Sequence, residues 1–113
     1  MSAVYDTHVI LKVKENQEDN LVQEIKNYIS NLNNLNAECK AYILEAKNIK
    51  EMVERIFCGR PLEECQADWE DDNEFTGGFN ASYGWYDIME DVRKIMIKPE
   101  YSDGTKVHID IWD

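Results

Sequence analysis

Hydrophobic periodicity changes twice along this chain, and those changes limit the folds open to it. Residues 4–14 read VYDTHVILKVK, a β-branched stretch whose partial alternation puts Val9, Leu11 and Val13 on one face and predicts a strand. Leu21, Ile25, Tyr28, Leu32 and Leu35 then recur at helical spacing, behind Asn16 at an N-cap position and Asp19 at the capping-box position. A helix over 17–32 is predicted. The Asn-rich run NLNNLN at 31–36 should end it and turn the chain, because Asn tolerates left-handed and turn conformations.

Residues 38–59 fit either one long helical stripe (Cys39, Tyr42, Ile43, Ala46, Ile49, Val53, Ile56, Phe57) or a short strand AYILEA followed by a helix capped at Asn48. The helical period matches more positions, so one continuous helix is expected, stopped by Gly59 and Pro61, with Arg55 and Arg60 near its negative end. Gly77-Gly78 signals a loop, and FNASYGWY a strand or an extended lead into a helix. Trp85, Ile88, Met89, Val92, Ile95 and Met96 define a third helix over 86–96, with Asp87, Glu90 and Asp91 on its opposite side. Pro99 ends it, Ser102-Asp103-Gly104 turns the chain, and Val107, Ile109 and Ile111 alternate with His108, Asp110 and Trp112 in a closing strand.

With neither repeats nor a linker in 113 residues, the expected architecture is a single α+β domain, residues 1–113, in which about three helices pack on one face of a small, mainly antiparallel sheet. A chain of this length can bury a core, and 43% apolar with 11% aromatic residues is far from a disordered acidic tail.

Charge narrows the function classes. The net charge is −11, and residues 61–113 carry fourteen acids against four bases, whereas residues 1–60 carry nine against eight. Glu63, Glu64, Asp68, Glu70, Asp71, Asp72 and Glu74 fall within residues 62–75 without a single Lys or Arg. Such a balance argues against direct nucleic-acid binding and against anionic membranes, and no apolar run reaches a membrane span. The N-terminus has neither the basic nor the apolar region of a secretory leader. The three cysteines (Cys39, Cys58, Cys65) are odd in number and lack CxxC spacing, which suggests reduced, structural thiols in the cytoplasm.

Three chemistries can be weighed against the acids. An EF-hand loop counted from Asp68 needs Gly at its sixth position and Glu at its twelfth, but finds Asn73 and Phe79. Cys58 and Cys65 have six residues between them and no second pair, which is wrong for zinc. Asp6-Thr7-His8 and His108-Ile109-Asp110 each put a carboxylate and an imidazole on one strand face, and four metal-ligating groups would converge if the terminal strands were neighbours. The expectation is nevertheless a solvated face, a chain without metal, cofactor or catalytic residues, and three structural thiols.

What remains is charge threaded with aromatic residues. Trp69 lies among the acids and is a candidate anchor for an Arg-rich partner. The expected partner-binding set is Glu63, Glu64, Asp68, Trp69, Glu70, Asp71, Asp72 and Glu74, joined by Asp87, Glu90 and Asp91. Proteins that grip nucleic acid present Lys- and Arg-lined surfaces, which a compact acidic protein can occupy. The partner is thus expected to be a basic protein, a nucleic-acid-binding protein or nuclease. In charge and length, though through no motif, the chain is similar to the small acidic inhibitors that phages and mobile elements direct at host defence, anti-CRISPR and anti-restriction proteins among them. The alternatives are an immunity protein neutralising a nuclease toxin, and a metal-dependent enzyme using the paired His and Asp residues.

Overall fold

The computed structural model describes residues 2–58 and 66–112. Among them the order is β1 (Ser2–Ile10), α1 (Glu18–Ser30), α2 (Ala37–Leu44), α3 (Ile49–Phe57), β2 (Gln66–Glu70), β3 (Glu74–Ser82), α4 (Gly84–Met96) and β4 (Lys106–Trp112). The strands form one antiparallel sheet in the order β2-β3-β1-β4, so the two terminal strands are neighbours. The helices pack against one face of that sheet. The α+β layout therefore holds, with four helices where about three were expected.

Alternation in β1 decides which face is covered. Ala3, Tyr5, Thr7 and Val9 are buried, while Ser2, Val4 and Asp6 are exposed. Phe75, Gly77 and Phe79 continue the covered side on β3, stacking Phe79 against Tyr5 with ring centroids 5.4 Å apart. Leu21, Ile25 and Ile29 of α1, Met52, Val53 and Ile56 of α3, and Met89 and Val92 of α4 complete one core. Of the predicted helical stripes, Tyr28, Leu32, Leu35, Cys39 and Ile95 are only partly buried, packed against this core.

Four local expectations are corrected. Residues 38–57 are two helices, because Asn48 Oδ1 caps the Glu51 amide at 2.9 Å and Ala46, fully buried, lies in the bend before it. Asn36 opens α2 in the same way, accepting from the Glu38 amide at 2.7 Å. Asn16 does not cap α1: it adopts φ 65° in the preceding turn, and Gln17 stands at the cap without a side-chain capping bond to the helix amides. Gly77-Gly78 is not a loop but the middle of β3. A Cβ on Gly77 would lie 3.0 Å from Thr7 Oγ1 and 3.1 Å from the Phe57 carbonyl oxygen, so the end of α3 sits on this strand only because that side chain is absent. Cys58 departs from the thiol expectation too, being disulfide-bonded, while Cys39 is free. Arg60, Pro61 and Cys65 lie outside the described residues.

Trp85 is buried at the start of α4 and donates its indole N–H to the Ile56 carbonyl at 2.9 Å, tying α4 to α3. At the far end of the chain Tyr101 Oη donates to Glu24 Oε1 at 2.6 Å, and Lys98 pairs with the other oxygen. This clip holds the segment before β4 against α1.

Candidate functional site

The uncovered face of the sheet carries the charge. Strand register sets its side chains in rows: Glu70, Glu74, Ile10 and Lys106; then Asp68, Thr76, His8 and His108; then Gly78, Asp6 and Asp110; then Asn80, Val4 and Trp112. Same-face neighbours lie about 5 Å apart across strands and roughly 6.8 Å apart along them. Five carboxylates, those of Asp6, Asp68, Glu70, Glu74 and Asp110, thus share a sheet face with Lys106 as its one Lys or Arg among the described residues. Asp71 and Asp72 extend it at the β2-β3 turn, where Asp71 takes φ 53°.

Directly opposed like charges destabilise a sheet, as at Glu70 facing Glu74 and Asp6 facing Asp110. Local partners relieve part of this. His8 Nε2 lies 2.7 Å from Glu74 Oε2, and His108 Nε2 lies 3.0 Å from Asp110 Oδ1. Trp112 donates its indole N–H to Asp6 Oδ2 at 2.7 Å. Asp68, Glu70, Asp71 and Asp72 are all exposed, so four acids meet solvent at the β2 edge and its turn.

The expected site residues divide between distinct surfaces. Asp68, Glu70, Asp71, Asp72 and Glu74 are brought together on the open face and its turn. Trp69 is on the helix side: its indole N–H donates to Glu54 Oε2 at 2.7 Å, its ring meets Phe75 at 5.0 Å, and Lys50 Nζ lies 4.7 Å above it. Asp87, Glu90 and Asp91 belong to α4, beginning near Ser82 at the opposite end of β3, roughly 27 Å along the strand from Glu74. The Arg93 guanidinium grips Glu90 through two bonds of 2.6 and 3.0 Å and holds its carboxyl below the usual range. Asp91 accepts from Tyr28 Oη at 2.7 Å; burial, and after it this bond, pushes the Tyr28 phenol upward. Glu63 and Glu64 lie outside the described residues.

Asp6, His8, His108 and Asp110 do share one face, because β1 and β4 pair. His108 pairs with Asp110, but His8 turns to Glu74 and Asp6 to Trp112, and among the described residues no group of three or more His, Cys, Asp or Glu side chains is placed to hold a metal ion. Three contributors to this face stood outside the expected partner-binding set. Asp6 and Asp110 join the acid face through strand order, which local alternation does not encode. Trp112, 58% exposed, is the aromatic ring that stands on this face. The expected alternation of His108, Asp110 and Trp112 against the apolar side contained that signal.

No protein-family model, curated protein or solved structure matches the chain.

Proposed function

We propose that this chain is a non-catalytic inhibitor that lays its open sheet face over the basic nucleic-acid-binding surface of another protein, in the manner of the acidic inhibitors that phages and mobile elements use against host defence. One observation carries this reading: a sheet face holding Asp6, Asp68, Glu70, Glu74 and Asp110 against a single lysine among the described residues, continuous with Asp71 and Asp72. A fold that needed those strands only for its core would not require Asp68 and Glu70 at consecutive outward positions of β2, or acids opposite one another across strands. Their mutual repulsion in the free protein is relieved when cations of a partner arrive, and long-range attraction raises the association rate. Trp112 supplies a ring on which an arginine can stack.

Membranes do not enter this scheme, and among the described residues no helix is long and apolar enough to cross one. The Cys58 bond removes the thiol argument for a reducing compartment. The case for action in the cytoplasm rests instead on where nucleic-acid-binding machinery works.

The test is capture from a host extract followed by competition. A captured basic protein that the nucleic acid it normally binds displaces from this chain supports mimicry. Capture that survives saturating nucleic acid refutes it.

A further inference from the structure

The two edges of the sheet are built differently. On the open side β2 presents Asp68 and Glu70, next to Asp71 and Asp72 at its turn, a fence of like charge that repels another strand. β4 is seven residues long, contains no proline and, among the described residues, pairs on one side only, with β1. Its far edge therefore offers unpaired backbone N–H and C=O groups along Lys106–Trp112. Its helix-side residues are also poorly covered: Val107 and Ile109 are half-buried and Ile111 is 41% exposed. An unpaired edge and a thinly covered apolar row on the same strand call for another strand.

We propose that the occupant is a second copy of this chain, with β4 pairing antiparallel to its own copy about a two-fold axis at Ile109. Charge and apolar order select both partner and register. Centred on Ile109, the pairing sets His108 opposite Asp110 of the second copy and Lys106 opposite the Trp112 ring, each occurring twice by symmetry. On the helix side Val107 meets Ile111 and Ile109 meets itself, so the thinly covered row closes on its own kind. Moving the centre to Asp110 would set aspartate against aspartate. Moving it to His108 would leave Ile111 and Trp112 opposite Thr105 and Gly104. The register centred on Ile109 is the one that pairs the whole strand, and it joins two open faces into one continuous acidic sheet.

Each copy carries a net charge of −11, so self-association strengthens as salt screens the mutual repulsion. Binding to a basic partner weakens under the same change, and failure of one idea is therefore distinguishable from failure of the other. The experiment is sedimentation equilibrium of the full chain over a concentration series at low and raised salt. A reversible dimer that tightens with salt is expected. His108→Glu places two carboxylates opposite each other at both symmetric positions and should weaken the dimer about tenfold. Combining His108→Glu with Asp110→Lys turns each repulsion back into an opposite-charge pair and should restore it. Both side chains are more than half exposed, so the fold is expected to survive these changes, as circular dichroism would verify. A wild-type chain that stays monomeric at every concentration overturns the proposal. So does a dimer indifferent to His108→Glu, or one that the second substitution fails to rescue.

Discussion

Thr7 and Phe57 stand 50 positions apart in the chain, yet the threonine hydroxyl donates to the phenylalanine carbonyl at 2.8 Å in a buried site. That bond joins the centre of the sheet to the last residue of α3, and Gly77 leaves the space in which it forms. Gly77→Ala should push these groups apart and cost about 1–3 kcal/mol in a denaturant titration. Thr7→Val keeps the volume but leaves the Phe57 carbonyl without its hydroxyl donor, for a loss also of about 1–3 kcal/mol. An unchanged stability in both variants would show that the helix end is held elsewhere.

Trp69 anchors the acidic edge strand from behind. Its ring packs on Phe75 and its indole N–H bonds Glu54, so Trp69→Ala should destabilise the fold by about 2 kcal/mol and raise hydrogen exchange in β2 first. Binding to a partner would then fall through loss of the strand's geometry. Trp112→Ala should instead speed dissociation while thermal stability stays near that of the wild type.

The clip between Glu24, Lys98 and Tyr101 makes stability depend on pH at two ends of the scale. The Lys98 ammonium, then the Tyr101 hydroxyl, hold the Glu24 carboxyl below its ordinary 4.5. Its contribution is therefore present above that value and lost as pH falls through the lower folded one. The bond to Glu24, aided by burial, pushes the Tyr101 phenol from 10.0 up to about 12. That contribution is complete below pH 10.0 and disappears as pH rises through about 12. The stability difference between wild type and Glu24→Gln should accordingly peak in the neutral range and shrink toward both extremes. A difference that is flat with pH would mean the clip contributes nothing through ionisation.

Charge neutralisation separates the two acidic surfaces. Replacing Asp68, Glu70, Asp71 and Asp72 with Asn or Gln should slow association with the basic partner about tenfold or more at low salt and flatten its salt dependence. The same treatment of Asp87 and Asp91, at the other end of β3, should change the rate little. Equal effects from both sets would show that overall charge, rather than the sheet face, governs encounter.

How far the fold could be read in advance follows from how local each signal is. The stripe Leu21, Ile25, Ile29 needs one helix and one buried side, so α1 was legible to within two residues at each end. The bend between Leu44 and Ile49 was not, because Ala46 is buried and satisfies the helical stripe while interrupting the helix that carries it. Gly77 was misread for a related reason: two adjacent glycines usually mark a turn, and only the approach of Phe57 from 20 residues away explains one in mid-strand. The acids were plain to see, but their common face depended on β1 lying between β3 and β4, a property of the whole sheet that no window of sequence contains.

That arrangement also bears on how such a surface can change over generations. Along β1 and β3 the residues that hold the fold and those that meet the outside world alternate. Substitutions at outward positions therefore cost the core little. A lineage carrying this domain could redraw its charge pattern one side chain at a time as a partner's basic surface drifted, while the inward positions stayed constrained.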